Sequence, residues 1–140
     1  MSRWGIVLTA AAVLGGPAAA TAEDASVMCL YSMVNGARAM LIHCGEPLDD
    51  QHEQKYVLLN QALEDFIRAN GGAIADRIIA HEGPQGSLEH VRKRGQDSCR
   101  SRDYPGWKQF ITKLLDDPAA TDSIKEQLKT PRDPRQGGCL

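Results

Sequence analysis

The side chains of this chain that could do chemistry begin with four cysteines, Cys29, Cys44, Cys99 and Cys139. Cys44 directly follows His43, the pairing a thiol nucleophile with an imidazole base would use. Neighbours on a helix, however, project about 100° apart and do not readily bond each other. No two cysteines are separated by two residues, so the spacing of a thiol-disulfide exchange centre is missing too. An even count instead points to structural disulfides, which form and persist in oxidising compartments.

Three further groups have the composition of a site. Met33, Met40 and His43 lie near one face of a helical pattern, and thioethers with an imidazole suit monovalent copper. The same methionines among Val, Leu and Ala also serve as plain core filler. Asp49, Asp50, His52 and Glu53 could face a hard cation, although acids in a first helical turn are equally explained by the free amides and dipole there. Last, Arg92, Lys93, Arg94, Arg100 and Arg102 precede Tyr104 and Trp107 around Cys99, a locally basic and aromatic stretch in an acidic chain. Guanidinium groups beside aromatics fit an anionic partner or a protein interface. No glycine-rich phosphate loop, paired CxxC pattern, HExxH helix or GxSxG elbow occurs.

The beginning of the chain sets the compartment in which these groups would work. Arg3, an apolar run from Trp4 to Leu14 and Ala20-Thr21-Ala22 predict a secretory signal peptide over residues 1–22, with the mature protein starting at Glu23. The apolar run is well short of the roughly 20 residues that span a bilayer. Glu23 rather than a cysteine follows the expected cut, and Cys139 is followed only by Leu140, too short for a prenylation box. Of the 140 residues, 118 remain, enough for one domain with one core. Among charged side chains the leader takes only Arg3 from the 16 basic residues, so 15 oppose 18 acids and no global pull toward nucleic acid exists.

The elements that must position these residues read as helices. Asp24 or Ser26 can cap a first helix over residues 25–43, in which Val27, Leu30, Tyr31, Val34, Ala37 and Leu41 recur at helical spacing. Asn35-Gly36 predicts a kink in it rather than a break. Asp50-Gln51-His52-Glu53 reads as a capping box that starts a second helix carrying Tyr56, Leu59, Leu63, Phe66 and Ile67, and Asn70-Gly71-Gly72 supplies its left-handed stop. Ile74, Ile78 and Ile79 predict a short helix ending before Gly83-Pro84. Ser87 can cap the next, which frays by Gly95. Trp107, Phe110, Ile111, Leu114 and Leu115 define a helix with Pro105 in its first turn. Thr121 can cap a last short one bearing Ile124 and Leu128. No run alternates polar and apolar residues over strand length. The expected fold is thus all-α, a small disulfide-stapled bundle of about five helices over residues 23–130, with residues 131–140 an irregular tail tied by Cys139.

Fifteen residues at about 1.5 Å each put Cys29 and Cys44 roughly 22 Å apart on a continuous helix, beyond the roughly 7 Å that a disulfide spans. Of the two pairings left, we expect Cys29 with Cys99, tying the first helix to the fifth-helix region, and Cys44 with Cys139, closing the tail over the turn after the first helix. The layout of leader, cysteine-bearing first helix, further helices and late cysteine is similar to that of small exported bacterial proteins, lysozyme-inhibitor-like and effector-immunity proteins among them. That resemblance rests on cysteine placement and helicity and carries over no functional residue. The expectation is a non-enzymatic periplasmic or secreted protein that binds a protein or anionic envelope partner through the Arg92–Trp107 stretch, with no cofactor, nucleic acid or membrane span. A metal-handling protein or small enzyme using Met33, Met40 and His43 or the Asp49–Glu53 turn is the competing class.

Overall fold

Ser26 opens the first helix, α1 (Val27–His43), because its hydroxyl accepts the Cys29 amide at 3.0 Å. The computed structural model describes residues 25–139, so the expected leader lies outside the described residues. Ten of the 17 residues of α1 are buried, from Val27 to Leu41. A helix buried on that many sides must be surrounded, and α2 (Asp50–Asn70), α3 (Ala75–Glu82), α4 (Pro84–Arg94) and α5 (Tyr104–Asp116) all pack on it. α6 (Pro118–Gln127) lies against α5. The fold is all-α with six helices among the described residues. Its one core joins Tyr31, Val34 and Leu41 of α1 to Leu59, Leu63 and Ile67 of α2, Ile78, Ile111, Leu115 and Ile124. The helical stripes read from the sequence are the faces that fill it. α1 runs unbroken through Asn35-Gly36.

Three caps differ from the sequence reading. Asp49, not Asp50, caps α2 by accepting the His52 amide at 2.9 Å, which leaves Glu53 one residue past the capping-box position and free to pair with Arg38. Proline at the first helical position starts both α4 and α6, since its fixed φ suits that place and its missing N–H costs nothing there. Asp117 therefore caps α6 instead of Thr121. Ser87 sits inside α4 with its hydroxyl on the Glu82 carbonyl. The left-handed residue after α2 is Gly72, at φ 56°.

All four cysteines are paired, but as Cys29–Cys139 and Cys44–Cys99, which corrects the expected partners. The reason lies at the two ends of α1. The tail returns beside its N-terminus, where the Pro134 and Gly138 carbonyls accept the Met28 and Ser26 amides at 2.9 Å and Ala25 bridges Gly138 in parallel. Those carbonyls satisfy donors that a helix start leaves free, and they carry Cys139 to Cys29. At the other end a 3-10 turn over Gln96–Arg100 packs on α1 and brings Cys99 to Cys44. The bonds close sequence separations of 110 and 55 residues, for which chain entropy allows at most about 4–5 kcal/mol each.

Two glycines test this packing from opposite sides. A Cβ on Gly36, inside α1, would meet nothing within 4 Å, so Gly36→Ala should raise stability by about 0.5–1 kcal/mol. A Cβ on Gly86 would fall 2.3 Å from the His81 carbonyl oxygen and 2.4 Å from that of Ala80, so Gly86→Ala should cost about 1–3 kcal/mol. Urea unfolding followed by circular dichroism measures both, and a Gly86→Ala protein as stable as the wild type would contradict the tight α3–α4 corner.

Candidate functional site

α1 and α4 lie side by side and run the same way. Near their starts Ser32 of α1 bonds Glu82 at 2.6 Å, and near their ends His43 Nε2 meets the Gly95 carbonyl at 3.2 Å. Along this pair opens a groove of about 490 Å³. α1 lines it with Ser32, Met33, Gly36 and Met40, α3 with His81 and Glu82, and α4 with Ser87, His90, Val91 and Arg94. Ser98, Ser101, Asp103 and Trp107 close the far end. Met40 and Val91 are buried in a small satellite core against which Trp107 packs, so the floor there is apolar and fixed. The missing side chain of Gly36 keeps the middle open.

At the α3 end the polar groups form a chain. The Ser32 hydroxyl donates to Glu82 Oε2, and Glu82 Oε1 lies 2.9 Å from His81 Nδ1. The His81 ring in turn stands edge-on to His90, with centroids 4.5 Å apart. Burial of the Glu82 carboxyl opposes its ionisation, but the Ser32 hydroxyl and the His81 ring outweigh it and hold the group below the usual carboxylate range. A serine bonded to a carboxylate rather than to an imidazole lacks the arrangement that activates a hydroxyl nucleophile. Among the described residues no three of His, Cys, Asp and Glu are placed to share a metal ion.

The residues singled out from the sequence are distributed as follows. Met33 and Met40 reach the groove, whereas His43 is turned to Gly95, so that trio does not converge. Cys44 is in a disulfide and carries no free thiol. Of the acidic turn, Asp49 caps α2, Glu53 holds Arg38, and His52 reaches Asp49 at 2.7 Å and Asp116 of α5 at 2.8 Å. In the basic stretch Lys93 pairs with Glu89. Arg92, Arg94, Arg100 and Arg102 are exposed and make no ion pair among the described residues. The aromatics turn the other way. Tyr104 donates its hydroxyl to Glu46, and burial together with that carboxylate pushes its own pKa up to about 12. Trp107 is half-buried, edge-on to Phe110. Sequence reasoning missed Ser32, His81, Glu82 and His90, because they meet across the α3–α4 corner and share no helical period. The Gly83-Pro84 break was the only signal that His81 ends one helix and that the next begins at a sharp corner.

The His52 clip gives a pH dependence. Hydrogen bonds that the His52 ring donates to Asp49, then to Asp116, outweigh partial burial and raise the His52 pKa above its usual 6.5, so its stabilisation is complete below about pH 6.5 and fades as pH rises through the raised value. The Asp49 carboxyl, bonded by the His52 amide and ring, and that of Asp116, bonded by the ring, are lowered; their share is present above about pH 4 and fades as pH falls through the lowered values. Between those limits the clip is fully formed. NMR titration should place His52 above 6.5 and Asp116→Asn should bring it down; an unmoved value in that variant would show that the contact across to α5 is absent.

No helix among the described residues is long and apolar enough to cross a membrane. Comparison with protein-family models, with curated proteins and with solved structures finds no match to this chain.

Proposed function

We propose that this chain is an exported, non-enzymatic binding protein of the cell envelope, which captures a protein partner through an acidic surface complementary to its own arginines, in the manner of an inhibitor or immunity factor. The observation that carries this reading is the clustering of unpaired cations. Arg92, Arg94, Arg100 and Arg102 stand exposed without ion pairs among the described residues within eleven positions of sequence, whereas Arg77, Lys113 and Lys125, exposed and unpaired as well, are scattered singly along the chain, and Arg38, Arg68, Lys55, Lys93 and Lys108 are matched to carboxylates. Unmatched guanidinium groups retain their forked donors for a partner's carboxylates. Cys44–Cys99 ties the segment that carries Arg100 and Arg102 to the central helix, which limits the conformational freedom lost on binding. The basic last turn of α4 also complements the dipole of its own helix, and that favourable local field keeps the charges there at little cost. Two disulfides agree with an oxidising compartment, as the expected leader does.

Arg100→Ala with Arg102→Ala should abolish retention of one specific partner, cross-linked from an envelope extract and identified by mass spectrometry, with the circular dichroism spectrum unchanged. Wild-type binding should weaken as salt rises, because exposed charges are screened. Retention that survives both substitutions would remove this face from consideration.

A further inference from the structure

We propose that two copies of this chain pair through the outer face of α2, antiparallel about a two-fold axis, with Leu58 of each copy seated in a hollow beside α2 of the other. Val57 and Leu58, 52% and 69% exposed, are the large apolar side chains left in solvent among the described residues, and they are neighbours. Scattered singly, such residues mean little. Here they share one helix face with Gln51, Gln54 and Gln61, all exposed and none charged, in a chain of which 24% is charged. A face that loses charge at its centre and keeps it at its edges has the composition of an association surface.

The hollow lies on the same side of the molecule. Two depressions open end to end between α2 and α6, with Lys125 lining both. The smaller, about 160 Å³, is walled by Leu58, Leu59, Leu115 and Pro118, and the larger, about 330 Å³, by Ala62, Phe66, Ala69 and Leu128. A knob and a hollow on one face are what a two-fold pair requires, since each copy then supplies both and the assembly closes at two.

Charge sets the direction of the pairing. An axis midway between Leu58 and Gln61 puts Leu58 beside Gln61 and Ala62 of the other copy, where the larger hollow begins. The same axis brings Asp65 to within one residue of the level of Lys55 of the other copy, and symmetry repeats that contact. Both groups have capacity for it, because Asp65 is held only by the Gln61 amide at 2.8 Å and Lys55 reaches Asp116 only at 3.4 Å. Parallel helices would instead set Asp65 against Asp65 and Lys55 against Lys55. α2, with 21 residues, is about 31 Å long, and one such helix pair with its α6 edges lies at the small end of specific interfaces. The association is therefore reversible, with a dissociation constant on the order of 10 µM. It is also independent of the arginine face, since α4 packs chiefly on α1 and α3 and stays uncovered when α2 is paired.

Sedimentation equilibrium of the purified, untagged protein between about 1 and 500 µM should show the mass rising from one chain to two and no further. Leu58→Glu, at a position already in solvent, should hold the protein monomeric over that range with an unchanged circular dichroism spectrum. Asp65→Lys and Lys55→Glu should each weaken pairing at least about tenfold, because each sets like charges together twice. An equimolar mixture of those two variants should restore it, since both contacts of the mixed pair then join opposite charges. A wild-type chain that stays monomeric throughout, a mass that climbs past two, or pairing indifferent to Leu58→Glu would overturn the proposal. So would a mixture that associates no better than its components. Arg100→Ala with Arg102→Ala should leave pairing intact; its loss there would put the contact on the arginine face and overturn the one drawn on α2.

Discussion

The burial of α1 is the constraint on which the rest of the molecule depends. A helix enclosed by four others gains from hydrophobic contact along most of its surface, yet every polar group it carries inward must be matched there. The ends of α1 meet this demand through the Ser26 hydroxyl, the tail carbonyls and the turn at Cys44. Its middle meets it through Asn35. That amide donates to the Tyr31 carbonyl at 2.9 Å and to Asn60 Oδ1 at 2.8 Å, and its oxygen accepts the Tyr56 hydroxyl at 2.6 Å. Arg38 then lies 4.6 Å above the Tyr56 ring and pairs with Glu53 through two nitrogens.

This network does what apolar contact cannot. Leucine against leucine tolerates a slide of one helix along another, whereas a buried amide matched to two partners on α2, Asn60 and Tyr56, fits in one register only. Displacing it would leave donors and acceptors unpaired at about 1–3 kcal/mol each. The α1–α2 pair is thereby fixed. α4 is set against the opposite flank by the Ser32–Glu82 bond at one end and by Cys44–Cys99 at the other. The groove is the gap left between a helix fixed in this way and a neighbour that Gly36 does not reach.

Much of this architecture was legible in the sequence, and what was not has identifiable causes. The apolar stripes of α1, α2 and α5 repeat at helical spacing, and the residues the spacing picks out lie in the core or pack against it. Caps were misplaced where two candidates compete within four residues, as with Asp49 and Asp50 or Asp117 and Thr121, because the winner depends on the direction from which the chain enters. Asn35 reads as a turn former by type, and only the approach of Asn60 and Tyr56 from α2 makes it a core residue. Geometry along one helix rightly separated Cys29 from Cys44. The choice between the remaining pairings turned on where the tail travels, which residues rich in Pro and Gly do not encode locally. The cluster of Ser32, Glu82, His81 and His90 was invisible for a related reason, since it draws on three helices.

The two disulfides are nested, the Cys44–Cys99 loop lying wholly inside the one closed by Cys29 and Cys139. Any single peptide bond cut between residues 30 and 138 therefore falls within a covalent ring, and the two pieces stay joined through sulfur. Cuts between residues 45 and 98 leave both bridges spanning the break. A nick there thus releases no fragment, and separating the pieces takes reduction of the bridging sulfurs or a second cut.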